Sequence, residues 1–132
     1  MGVPLQEPTF LILTALAGGP LHGYGVIQEV TRLSDGRVVL RPGTLYGALD
    51  RLTDQGHVVA DREEIVDGRL RRYYRLTDEG AAILDAEARR LADNAAEARR
   101  RLRDRSPATQ PLGAGPGRRP PARRGTKLAF GR

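Results

Sequence analysis

Arg41–Gly56 reads RPGTLYGALDRLTDQG, and the fold turns on how this stretch is laid out. Placed at the 100° step of an α-helix, Leu45, Ala48, Leu49 and Leu52 fall on one face. The opposite face carries Gly43, Gly47, Asp50, Arg51 and Asp54, with Thr44 and Tyr46 on its flanks. Pro42 discourages helix before it, and Gly56 supplies an exit. An outer face made of small residues, hydroxyls and arginine suits insertion into a groove better than packing on a core.

Outward from this helix, the upstream chain predicts two more. Glu7-Pro8-Thr9 starts the first, because proline fits the first turn and an acid there complements the helix dipole. Phe10, Leu11, Ile12, Leu13 and Leu16 leave it little polar face, so it is expected to be buried on several sides. Ala17-Gly18-Gly19-Pro20 ends it. A second helix is expected from about His22 to Leu33, with Tyr24, Val26, Ile27, Val30 and Leu33 as its apolar members. Ser34-Asp35-Gly36 is a turn, and Arg37–Leu40 is a short extended lead into the opening stretch.

Downstream of Gly56 the period changes to two. Val58 and Ala60 alternate with Val59 and Asp61, Asp67-Gly68 is a turn signal, and Leu70–Leu76 follows as a second strand. In that strand Tyr74 and Leu76 share a face with Arg72, while Arg71, Tyr73 and Arg75 share the other. Arg69, Arg71, Arg72 and Arg75 fall within seven residues, which predicts a basic projection. Thr77-Asp78-Glu79-Gly80 then caps a long helix. Its apolar positions Ala81, Leu84, Ala88, Leu91, Ala95, Ala98 and Leu102 keep a heptad spacing. At 1.5 Å per residue such a helix is about 35 Å long. A small globule cannot bury that length, so Leu84, Ala88, Leu91, Ala95, Ala98 and Leu102 are expected to face a second copy.

The 132 residues suit one domain with extras, and the absence of cysteine excludes disulfides, thiolate metal sites and cysteine nucleophiles. Net charge is +6, but Arg118, Arg119, Arg123, Arg124, Lys127 and Arg132 supply all of it. The preceding residues are formally neutral, so overall basicity is no argument for nucleic-acid binding and local patterning has to make it. From Ser106 onward the Pro, Gly, Ala and Arg composition predicts disorder. TFLILTALA, residues 9–17, is too short to span a bilayer, so the expected setting is cytoplasmic, with no membrane partner. His22 and His57 lack partners at metal-ligand spacing, no cofactor is implied, and no nucleophile triad, carboxylate pair or phosphate loop suggests catalysis.

The resulting order is helix, helix, helix, strand, basic turn, strand, long helix. The expected fold is mostly α with a small β-hairpin, a winged helix-turn-helix domain plus a long C-terminal helix. We divide it as a DNA-binding domain over 1–76, a dimerisation helix over 77–104 and a basic tail over 105–132. GGPLHGYGVIQEV (18–30), LRPGTLYGALDRLTDQGHV (40–58) and RRYYRLTDEG (71–80) resemble the PadR-type transcriptional regulators, in one collinear order from about Pro8 to Leu102. The departures are Gly47 where proline is frequent, His57 where leucine is common, and the absence of tryptophan.

That resemblance implies a homodimer joined through the C-terminal helix, bound to an inverted-repeat operator in double-stranded DNA, usually repressing. It also implies, for several members, release by a small aromatic or drug-like effector. Carried over residue by residue, DNA contacts come from Tyr24, Gly43, Thr44, Tyr46, Arg51, Arg69, Arg71 and Arg72. Gly47, a departure from the family pattern, is expected to serve close backbone approach to DNA, because glycine in a helix is otherwise costly. The residues leave some alternatives open. Tyr24 and Tyr46 are either DNA-facing or core aromatics, Thr44 is a cap or a phosphate contact, and Arg51 pairs with an acid or reaches DNA. His22 closes a turn or caps a helix. The competing function is a winged-helix protein-assembly module, which calls for an acidic or apolar wing that this chain is expected to lack.

Overall fold

A computed structural model describes residues 4–105, and the expected disordered tail lies outside them. The chain divides into two units, residues 1–94 and 95–132. Its elements in order are α1 (Glu7–Ala17), β1 (Leu21–His22), α2 (Gly23–Leu33), α3 (Pro42–Asp54), β2 (Val58–Val66), β3 (Arg69–Leu76) and α4 (Asp78–Asp104).

The core of the first unit forms where the apolar stripes meet. Leu11, Ile12, Leu13, Ala15 and Leu16 bury most of α1, as its nearly continuous apolar run predicts. Val26 and Val30 of α2 and Leu45, Ala48, Leu49 and Leu52 of α3 close on them, joined by Val58 of β2 and Tyr74 of β3. The α3 face predicted to be buried is therefore the buried one. Each leucine sealed there contributes about 1.5–3 kcal/mol over leaving it exposed.

The joints between elements are fixed by short-range hydrogen bonding. Ser34 is buried; its Oγ donates to the Val30 carbonyl and accepts the Val38 amide, holding the turn between α2 and α3. The exit of α3 is a Schellman ending: Gly56 N–H donates to Thr53 O, His57 N–H donates to Leu52 O, and Gly56 takes φ of +83°. Thr77 then ties this exit to the start of α4. Its hydroxyl donates to the Gly56 carbonyl and accepts the Gly80 amide, as a cap should.

Two expectations about the strands are corrected. The hairpin belongs to a three-stranded antiparallel sheet ordered β1-β3-β2, with Leu21 opposite Tyr74 and His22 opposite Tyr73. Two residues between a proline and a helix carry no readable period. Strand β2 also continues through Asp61–Glu64, where the sequence pattern suggests only an approach to the turn. A bulge between Ala60 and Arg62 breaks the period-two pattern there. At the tip, Asp67 and Gly68 both take positive φ, the two-residue turn that the Asp-Gly signal predicts.

In the first unit Leu84 packs against the core, whereas Ala88 and Leu91 are exposed. In the second unit residues 95–105 are exposed throughout. Glu97 pairs with Arg100 and Arg101 there, and Ala95, Ala98 and Leu102 lie on the surface. No helix among the described residues is long and apolar enough to cross a membrane.

Candidate nucleic-acid interface

Because α3 buries Leu45, Ala48, Leu49 and Leu52, its other side presents Gly43, Thr44, Asp50, Arg51 and Asp54, with Gly47 half-buried. A Cβ added at Gly43 would meet nothing within 4 Å, and one at Gly47 would meet only Arg51 Nη1 at 4.0 Å. The protein's own packing therefore asks for neither glycine. Thr44 is exposed and is not the cap. Arg41 holds that position without a side-chain cap bond, and proline in the first turn starts the helix instead. The first turn contains no acid, so its unpaired amides keep their positive potential.

The start of α2 lies beside this face. Tyr24 is 62% exposed, which removes the core reading, and Tyr46 is 45% exposed. The Tyr46 ring rests on Gly23: a Cβ there would overlap the hydroxyl and lie 2.7 Å from Cζ. Gly23 thus has to be glycine for Tyr46 to stand where it does. Nothing in the sequence pattern assigns Gly23 a role, although it sits between His22 and Tyr24 in the GGPLHGYGVIQEV segment. His22, at the head of α2, makes no side-chain cap bond. Its ring instead meets Tyr73 edge-on at 5.4 Å between centroids, while Arg62 lies 4.0 Å over the same Tyr73 ring. Burial holds the His22 imidazole below its ordinary pKa, Arg71 adds to the effect and Glu64 opposes it.

The wing is less uniformly basic than its arginines suggest. Strand β2 lays acids beside them: Arg72 pairs with Glu63 at 3.0 Å and Arg75 with Asp61 at 3.2 Å, while Arg62 pairs with Asp61 and Glu64. Among the described residues Arg51, Arg69 and Arg71 have no ion-pair partner. The expected independent basic projection is corrected to a wing with two unpaired arginines at its tip end. It is not free of acids or of apolar surface, since Ile65 and Leu70 are exposed beside the turn. The sequence contained that signal, because a two-residue turn at Asp67-Gly68 sets Ile65 opposite Leu70.

Between the wing and the helices lies a cleft of about 560 Å³, bordered by Tyr24, Tyr46, Arg69, Leu70 and Arg71. It brings together both tyrosines and the wing arginines from the expected site. Gly43, Thr44, Gly47 and Arg51 lie outside its lining, on α3. The cleft collects the guanidinium groups of Arg69, Arg71 and Arg72 and the hydroxyls of Tyr24 and Tyr46, with apolar Leu70 and Val66 and the single carboxylate of Asp67 on the same lining. Among the described residues no cluster of three or more metal-ligating side chains accompanies them. Such a set can hold polyanionic backbone and offers no nucleophile paired with a base.

The profile of the transcriptional regulator PadR-like family matches residues 12–86. The chain is 40% identical over 86 residues to transcriptional regulator Rv3488 of Mycobacterium tuberculosis, covering 65% of this chain and 77% of that protein. It is also 44% identical over 87 residues to an uncharacterized 37.1 kDa protein in transposon TN4556 of Streptomyces fradiae. That match covers 66% of this chain but only 24% of the transposon protein. Among solved structures, Bacillus subtilis PadR in complex with operator DNA superposes with a TM-score of 0.55 at 26% identity, covering 61% of this chain and 46% of that one.

Proposed function

The chain belongs to the PadR-like family of transcriptional regulators, and on that premise we propose that it binds an inverted-repeat operator as a homodimer. It is a regulator and not an enzyme. Helix α3 enters the major groove and the wing follows the adjacent backbone. The observation that carries this reading is the outer face of α3, where two glycines leave open space that the protein does not fill. Two such positions in one helix permit the backbone to come close to a base edge or phosphate. Repression, with release by a small aromatic or drug-like effector, is the mode that family membership favours.

The geometry supports a role for each residue. Gly43 and Gly47 allow close approach, while Thr44 and the first-turn amides of α3 donate to phosphate. Tyr24 and Tyr46 offer exposed hydroxyls across the cleft, and Arg51, Arg69 and Arg71 supply unpaired guanidinium groups. Arg72 contributes by exchanging Glu63 for phosphate, because an exposed ion pair is readily displaced. Leu84, Ala88, Leu91, Ala95, Ala98 and Leu102 of α4 meet a second copy.

The test is binding to duplexes selected from a randomised library, measured across a salt series. Specific binding should weaken steeply with salt, and equal affinity for every duplex would remove the operator from the reading. Arg69→Ala with Arg71→Ala should flatten the logarithmic salt slope by about 0.9 for each phosphate that the wing no longer neutralises. An unchanged slope would detach the wing from the DNA backbone.

A further inference from the structure

We propose that the wing carries an apolar contact for the minor groove of the duplex that α3 enters, made by the cross-strand pair Ile65 and Leu70. Ile65 is 77% and Leu70 62% exposed, and they stand directly opposite one another one position from the turn flanks. A soluble domain gains nothing from leaving two large aliphatic side chains together at the end of a ribbon, where they invite association. The surroundings select the occupant. Leu70 borders the same cleft as Tyr24 and Tyr46, so the patch is continuous with the proposed DNA surface. Its neighbours along the strand, Arg69 and Arg71, are the wing arginines without a carboxylate partner.

Strand geometry gives the two kinds of side chain different tasks. Side chains alternate between faces, so Ile65 and Leu70 share one face of the ribbon while Arg69 and Arg71 leave from the other. Entering a minor groove tip first, such a ribbon addresses a different strand with each face. The arginine face reaches phosphates on one rim, and the aliphatic face packs on the deoxyribose wall opposite. Sugar walls are apolar and alike in every sequence, so this contact adds affinity that salt does not screen and senses groove width. The inference rests on the proposed DNA-binding function and assigns it a component that the arginines cannot supply.

The test uses the full chain, the duplex recovered by library selection and the variant Ile65→Thr with Leu70→Thr, since threonine suits exposed strands. Affinity should fall roughly tenfold with an unchanged salt slope, because the variant removes aliphatic surface and leaves every phosphate partner in place. Thermal unfolding should not move. Diaminopurine in place of adenine in the flanks adds an amino group to the minor groove and leaves the major-groove edge intact. That substitution should weaken the wild-type chain and have little effect on the variant. Unchanged affinity in the variant would overturn the inference while leaving the function intact. Recovery of no preferred duplex would overturn both. A change in sedimentation of the variant without DNA would reassign the pair to contact between protein chains and overturn the inference.

Discussion

At Gly23 and Gly80 a methyl group would collide with the protein, with the Tyr46 hydroxyl in one case and the His57 carbonyl in the other. At Gly43 and Gly47 it would meet open space or the end of a flexible arginine. The backbone demands the glycine at 80 and the pose of the Tyr46 ring the one at 23, whereas nothing in the protein's packing accounts for Gly43 and Gly47, which stand against helix propensity. A glycine inside a helix costs about 0.5–1 kcal/mol relative to alanine. Gly47→Ala should therefore raise stability by about that amount, seen as a higher midpoint in thermal or urea unfolding. The same variant should bind the selected duplex more weakly, because the added methyl occupies the gap between α3 and the groove. Opposite signs in the two measurements are the signature of a glycine kept for a ligand. A variant that is more stable and binds equally well would show that nothing approaches α3 at this position.

Among the elements, one buried carboxylate ties the residues just before α1 to α4, beside the apolar packing of Leu5 and Leu84 on the core. Glu87 is buried; it accepts the Leu5 amide at 3.1 Å and is bonded by the Arg90 guanidinium. The Arg90 hydrogen bond holds the Glu87 carboxyl below its ordinary pKa against the opposing pull of burial, and the Leu5 amide assists. A carboxylate with a lowered folded pKa stabilises fully above its unfolded value near 4.5 and loses that stabilisation as pH falls through the lower value. Glu87→Gln should thus unfold at a lower temperature than the wild type at neutral pH, with the gap closing as acid protonates the wild-type group. A gap independent of pH would mean that shape, not charge, holds the joint. Nothing in the sequence announced it: the partners stand 82 positions apart, and Glu87 looks like one of many charges on a helical surface. What was legible depended on period and local chemistry. The α3 stripe, the Asp-Gly turn, the Gly56 exit and the Thr77 cap each repeat a local rule. Strand β1, the length of β2 and the acids that occupy Arg72 and Arg75 depend on which strand lies beside which, and there the local rules stop. Of the candidate site, the exposed tyrosines and Arg69 and Arg71 were readable, whereas the support of Tyr46 by Gly23 was not.

For the whole molecule, charge and length support the proposed homodimer. The six excess positive charges all fall after residue 106, so residues 1–105 bind a polyanion with a formally neutral body and a few placed groups. One copy offering Arg51, Arg69, Arg71 and a handful of donors reaches too few phosphates to hold a specific site firmly at physiological salt. Doubling them on one duplex requires a symmetric join, and the heptad positions of α4 are the surface available for it. Leu91 is 41% and Leu102 64% exposed, with alanines at the intervening positions that let a second helix come close. Leucine in this row of alanines should carry most of the apolar contact, since alanine adds little area. Leu91→Glu sets a charge in the proposed apolar seam and should convert the proposed dimer to a monomer in sedimentation velocity, with α-helical content retained. Affinity for an inverted-repeat duplex should then fall by about 10²-fold or more, the advantage that linking two modules confers, while affinity for a single half-site stays the same. A variant that remains dimeric would place the join elsewhere, and a monomer that binds the full repeat as tightly would remove the need for a second copy.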